Sequence, residues 1–208
     1  MAKFLNSPGD YNHLLVFQKA MCVYDGTIFF TRRFMKPGDR TVGQMQQAAR
    51  SGKQNIVEGN VDGATSTHSN IHLLNIAIGS LEELKQDYLD FLRTNKMQIW
   101  KLEDFKCEQT RRVCRKHTEP EYYINAFQSR SPETVANIML VLIYQCITLG
   151  NGLLAKKKNE FLSQGGKKEE MYRARIEYRN NIRFQAGCDS QVYEPDVIYG
   201  DANEELPL

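Results

Sequence analysis

The residues of this chain whose type and spacing most directly suggest chemistry are three clusters of cations. They are Arg111, Arg112, Arg115 and Lys116; Lys156, Lys157 and Lys158; and Arg173, Arg175, Arg179 and Arg183. Such clusters neutralise phosphates and release counterions, which gives salt-dependent, sequence-tolerant affinity for nucleic acid. The same pattern also describes a solvated helix face, with lysines near a helix C-terminus complementing its dipole. His68 and His72 stand four apart, a spacing that can hold a metal, but no third ligand is evident nearby. Surface or capping roles are expected for both. Cys107, Cys114 and His117 lack the short cysteine pair of a zinc finger. Asn55 and Glu58 read as a polar cluster fixing helix register rather than as an acid–amide catalytic pair. The chain has no phosphate-cradling glycine loop, nucleophile elbow or zinc-protease helix. The expectation is a protein without catalytic residues, metal or cofactor.

Residues 41 to 92 carry the elements that must position these groups. Val42, Met45, Ala49, Gly52, Ile56 and Gly59 alternate at spacings of three and four, as do Ile71, Leu74, Ile78, Leu81, Lys85, Tyr88 and Leu92. That alternation puts each set on one stripe of a helix, the seam that packs on a partner helix at a shallow angle. Thr41 and Gln44 form a capping-box pattern at the start of the first, and Ser69 or Thr67 is placed to cap the second. The first is rich in small residues (Gly43, Ala48, Ala49, Ser51, Gly52, Gly59), which predicts the closest backbone approach in the fold. An earlier helix carries the stripe Leu14, Phe17, Met21, Tyr24, Ile28, Thr31 and Met35, with Ser7 or Asp10 as its cap. Ser131-Pro132-Glu133 opens a fourth long helix that stops at Gly165-Gly166.

These elements predict an all-α, up-down-up-down four-helix bundle over residues 1–164. Residues 96–131 break the rhythm and read as an insertion between helices three and four, with Ile99, Leu102, Phe105 and Val113 marking a shorter helix. Residues 165–208 form a C-terminal suffix: a basic helix over 167–184, then an acidic tail over 187–208.

Composition sets the limits. The 208 residues include 41% hydrophobic and 25% charged, enough for a sizeable core in a soluble protein, with a net charge of +2. Six acids and no Lys or Arg follow Gly187; leaving that tail out raises the net charge of the rest to +8. Five scattered cysteines and an N-terminus without a long apolar run suggest a reduced compartment, the cytoplasm. Val135 to Ala155 has no charged residue and is long enough to cross a bilayer. Its Asn137, Gln145, Thr148 and Asn151 favour instead a helix buried on several sides, at a bundle centre or against a second subunit. No membrane association is expected, and an oligomer is.

Arg50-Ser51, Asn55-Ile56-Val57-Glu58-Gly59, Ile76-Ala77-Ile78-Gly79-Ser80-Leu81-Glu82-Glu83-Leu84 and Leu149-Gly150-Asn151-Gly152-Leu153-Leu154 resemble the bacterial four-helix bundle proteins related to the 23S rRNA intervening-sequence protein. The similarity spans about residues 10–94 and 132–160. It implies structural roles for Asn55, Glu58, Gly59, Gly79, Ser80 and Glu83, and a homopentameric assembly. A related fold serves as the accessory variability protein of retroelements, which implies nucleic acid and a reverse transcriptase as partners. The basic helix after Gly165-Gly166 looks like the extension of the suffix-domain subgroup. The chain departs from the pattern at Lys53-Gln54, where the family has a proline, and from Asp62 to Thr67, where it has a basic turn.

Two functional readings follow. One is an oligomer that binds RNA or DNA, or a nucleic-acid-processing protein, through its basic clusters. The alternative is a structural adaptor for protein–protein contact without nucleic acid, with Trp100, Phe105, Tyr122 and Tyr123 as aromatic anchors. If the acidic tail masks a basic patch, deleting residues 187–208 raises affinity for RNA or DNA in a filter-binding titration. Unchanged affinity would remove that role.

Overall fold

The computed structural model describes residues 11–62 and 66–185; all the regular structure among them is helical. After a single 3-10 turn at Tyr11–His13, seven α-helices follow in order. They are α1 (Leu15–Phe34), α2 (Arg40–Asp62), α3 (Thr67–Thr94), α4 (Phe105–Lys116), α5 (Pro120–Phe127), α6 (Pro132–Gln164) and α7 (Lys167–Gln185). The chain divides into two compact units, one ending at Glu170 and the other starting at Met171. The division therefore falls inside α7 rather than at Gly165-Gly166, although Gly165 does end α6 with a positive φ of 78°.

Short-range chemistry sets the helix ends. Ser131 Oγ accepts the Thr134 N–H at 3.3 Å with Pro132 in the first turn, as the sequence predicts. The Thr41–Gln44 box does not form. Asp39 Oδ1 accepts the Thr41 N–H at 2.9 Å instead, and the helix starts one residue earlier at Arg40. A carboxylate is at least as good a cap as a hydroxyl, and it also favours the positive end of the helix dipole. Ser66, not Thr67 or Ser69, caps α3 by accepting the Ser69 N–H at 3.2 Å. The caps expected at Ser7 and Asp10 lie outside the described residues.

In the first unit, α1 packs on α2, α2 on α3, α3 on α6 and α6 on α1, which closes a circuit around one core. Its centre is aromatic: the Phe30 ring lies 4.9 Å from Tyr88 and 4.8 Å from Phe91, centroid to centroid. The Tyr88 hydroxyl, fully buried, donates to Thr27 Oγ1 at 3.2 Å, so its polar end is satisfied inside the core. The α2–α3 seam follows the expected stripes, with Met45, Ala49, Ile56, Leu74, Leu81, Tyr88 and Leu92 buried. A Cβ at Gly52 would stand 3.0 Å from Leu81 side-chain carbons, and one at Gly59 would stand 3.3 Å from Leu73 Cβ. Those two glycines bring α2 close to α3; Gly43, expected among them, has nothing within 4 Å, and the most crowded glycine is Gly26 on α1, where a Cβ would stand 2.5 Å from Met139 Sδ.

Two elements depart from expectation for the same reason: they have more neighbours than the sequence could announce. On α1 the buried set is Val16, Phe17, Lys19, Ala20, Cys22, Val23, Gly26, Thr27, Phe30 and Thr31, displaced from the expected stripe toward faces that meet α6 and α5 as well as α2. The 96–131 segment is not an appendage. Its α4 packs on α6 and its α5 on α1. Ile99 and Leu102 precede α4, Phe105 is 75% exposed, and the side chains α4 buries are Cys107 and Cys114.

Every residue from Val135 to Ile143 is buried. The insertion, α1 and α3 cover this half of α6 from within the same chain, which accounts for its apolar character there. By length and composition the region from Pro132 holds the one stretch among the described residues that could cross a membrane, and half of that stretch is buried in the protein.

Two glycine substitutions separate packing from propensity. Gly52→Val is expected to lose about 1–3 kcal/mol, because the seam must open against Leu81. Gly79→Ala, on an exposed position with nothing within 4 Å, is expected to gain up to about 1 kcal/mol. Urea denaturation followed by circular dichroism checks both.

Candidate nucleic-acid interface

The first basic cluster is carried by α4, a helix whose sequence is too polar to hold itself to the protein by apolar burial. Polar side chains of α1 and α6 hold it instead. Lys19, 1% exposed on α1, extends its Nζ to the carbonyl oxygens of Cys114 and His117, at the C-terminal end of α4. These are carbonyls that a helix leaves without an intrahelical partner, and a cation there also meets the negative end of the dipole. Cys22 Sγ donates to Thr118 O at 3.1 Å, and the Tyr123 hydroxyl donates to His117 O at 2.8 Å. From α6, Gln145 Nε2 donates to Arg111 O at 3.0 Å.

The segment leading into α4 is held the same way. Asn137 Nδ2 donates to Gln98 O at 2.8 Å while its Oδ1 accepts the Trp100 N–H at 2.9 Å. Glu133 Oε2 accepts the Gln98 N–H at 3.1 Å. Loop backbone that secondary structure leaves unpaired is thereby satisfied against a buried helix face.

Burial shapes the titration of this junction. Desolvation lowers the Lys19 pKa below its ordinary value, partly offset by the nearby thiols. The same burial pushes the thiols of Cys22 and Cys146 up to about 12, and that of Cys114 to about 11. At neutral pH these are protonated, unreactive groups. Sequence reasoning missed Lys19. The available signal was its spacing: it stands three after Val16 and four before Val23, inside an apolar run.

On α4, Arg111 and Arg115 lie one turn apart on one stripe, and Arg112 and Lys116 on the next. Arg112 pairs with Glu108 at 2.5 Å on the solvent side. Arg111 and Arg115 have no carboxylate within ion-pair distance among the described residues. The lysine cluster sits inside α6, ahead of its last turns: Lys157 pairs with Glu160 at 3.1 Å and Lys156 with the same carboxylate at 3.9 Å, while Lys158 is exposed. At about 1.5 Å per residue, Lys156 is about 16 Å along α6 from the Gln145 contact with α4. The third cluster belongs to the other unit, on α7: Arg173, Arg175 and Arg179 are exposed, and the Arg183 side chain lies outside the described residues. The two clusters of the first unit are therefore separate patches, not one surface.

Among the motif residues, Asn55 and Ser80 meet through Ser51. Asn55 Nδ2 donates to Ser51 O at 2.9 Å, and the Ser51 and Ser80 hydroxyls lie 2.9 Å apart. This polar link ties α2 to α3, as a register cluster would. Glu58 is not part of it: the residue is exposed and points away from the seam that buries its neighbour Gly59. Gly79 and Glu83 are also exposed. His68 and His72 are both exposed. The His117 ring stacks on Tyr122 at 3.7 Å, and Cys107 and Cys114 are buried with free thiols. No group of three or more metal-ligating side chains occurs among the described residues. Of the aromatic anchors, Tyr123 is buried against the core and Trp100 is partly buried; Phe105 and Tyr122 remain exposed. Comparison with family models, curated proteins and solved structures finds no match for this chain.

Lys19→Met removes the donor and leaves the Cys114 carbonyl buried without a partner. A loss of about 1–3 kcal/mol is expected, with hydrogen exchange accelerating first in α4. Because the folded state binds the Lys19 proton less tightly than the unfolded chain, wild-type stability relative to Lys19→Met rises as pH climbs toward 10.5. Denaturation of both proteins across that range measures it.

Proposed function

We propose that this protein is a non-enzymatic, oligomeric four-helix bundle that binds nucleic acid, or a nucleic-acid-processing protein, in the cytoplasm. In this reading α1, α2, α3 and α6 run up-down-up-down, and the motif resemblance to the 23S rRNA intervening-sequence protein relatives reflects common ancestry. The pentamer, the retroelement setting and a reverse transcriptase partner come from that resemblance.

The observation that carries the reading is α4: five cations on twelve residues, Lys106, Arg111, Arg112, Arg115 and Lys116, displayed on a helix that buried polar contacts immobilise. A cationic face held in place loses little side-chain freedom beyond its own when it meets phosphate. Exposed Arg175, Arg179 and Lys158 add charge elsewhere. Repetition of these faces around an oligomer would supply avidity that no single patch has. Exposed Leu162 on α6 and Ile76 on α3 are apolar positions that a neighbouring copy would cover. The adaptor alternative draws on Phe105, whose 75% exposure next to Leu102 offers an anchor for a protein partner.

Salt-titrated binding to single-stranded RNA and to duplex DNA tests the reading. Arg112→Gln with Lys116→Gln is expected to reduce the slope of log K against log salt by about 1 to 2 units, as loss of up to two phosphate contacts requires. No binding of the wild type at low salt would favour the adaptor. Sedimentation giving a particle of one 24.0 kDa chain would remove the oligomer.

A further inference from the structure

A pocket of about 560 Å³ opens where α1, the segment before α4, α4 itself and α6 meet. Its walls are mostly aliphatic, with Leu15, Ile99, Leu102, Leu140, Val141 and Leu149 among them, and the rings of Trp100 and Tyr144 also line it. Three cations line it, Lys19, Arg111 and Arg115, and no Asp or Glu does. Lys19 is committed to the carbonyls at the end of α4. Arg111 and Arg115, one helical turn apart, have no such commitment.

We propose that this pocket binds an anionic amphiphile with a flexible acyl chain, its carboxylate held by Arg111 and Arg115 and its chain laid along the aliphatic walls. The volume lies within the ordinary range for small-molecule sites. Two guanidinium groups on one stripe match a carboxylate in charge and in fork geometry. Seven aliphatic side chains against two rings favour a flexible chain over a planar base, which gains most between aromatic faces. The mouth has a reason to be covered: Leu15 is 45% exposed, Ile99 42% and Leu102 69%, side chains that an acyl chain would shield from water. The site does not depend on the nucleic-acid reading, whose test uses Arg112 and Lys116 on the neighbouring stripe.

Isothermal titration of the full chain with dodecanoate, below its micellar concentration, tests the proposal. One dodecanoate per chain is expected, with affinity rising about fourfold per added methylene from decanoate to tetradecanoate. Dodecanol is expected to bind at least tenfold more weakly. Arg111→Gln with Arg115→Gln is expected to abolish that preference. Thr148, exposed at the pocket lining on α6, offers a second variant: Thr148→Trp fills the space without touching the core, and all binding is expected to be lost. Circular dichroism confirms that each variant is folded. Failure to bind dodecanoate, equal affinity for the alcohol, or binding that survives Thr148→Trp overturns the proposal. So does displacement of bound dodecanoate by a short oligonucleotide, which would assign the pocket to nucleic acid. Phosphatidylglycerol vesicles that bind equally well to Thr148→Trp would place the anion chemistry at a membrane surface instead, and would also overturn it.

Discussion

A single buried ammonium group decides where the most basic helix of the first unit can sit. Lys19 reaches from α1 to the free carbonyls at the end of α4, and Cys22 on the same helix adds a bond to the Thr118 carbonyl just beyond. A shorter donor would not span the distance, and an apolar residue would leave the Cys114 carbonyl unsatisfied in a dry environment. Desolvation of the ammonium opposes the arrangement, as its lowered pKa indicates. What offsets that cost is the end of a helix dipole and two oxygen acceptors in one place. Asn137 and Gln145 repeat the device from α6, Asn137 on the loop backbone of Gln98 and Trp100 and Gln145 on the Arg111 carbonyl.

The α2–α3 seam rests on a different principle. There the helices approach until a Cβ at Gly52 or Gly59 would crowd Leu81 or Leu73, and dispersion between closely packed surfaces replaces side-chain volume. One polar link, Ser51 to Ser80, crosses the seam and fixes its register. The first unit therefore has one face where helices meet by being small and another where they meet by polar anchoring.

That arrangement explains why the cation clusters are not equivalent. Lys156 and Lys157 share Glu160 on their own helix, so part of their charge is neutralised locally. Arg111 and Arg115 have no such neighbour and border an apolar pocket, while Arg112 and Lys116 face solvent. One helix thus presents two different surfaces on adjacent stripes. The pocket exists because the insertion, from Ile99 to Leu102 and on through α4, lies over α6 without closing against Leu15.

The amino-acid order alone determined the helical class, the extent of α3 and α6, the Ser131-Pro132 start, and the α2–α3 stripes. Each of these depends on neighbours within a turn or two, and a 3-4 alternation records them directly. It could not tell which of several carboxylates or hydroxyls would cap α2 and α3, since Asp39, Thr41, Ser66 and Ser69 are all competent. Nor could it show that α1 buries a face displaced from its apparent stripe, because that face is chosen by α5 and α6. Lys19 is the extreme case. Its spacing within an apolar run marks it as a candidate for burial, but nothing local names partners that lie 95 and 98 residues away. Only the packed chain brings the Cys114 and His117 carbonyls within its reach, and with them the position of α4, its arginines and the pocket they border.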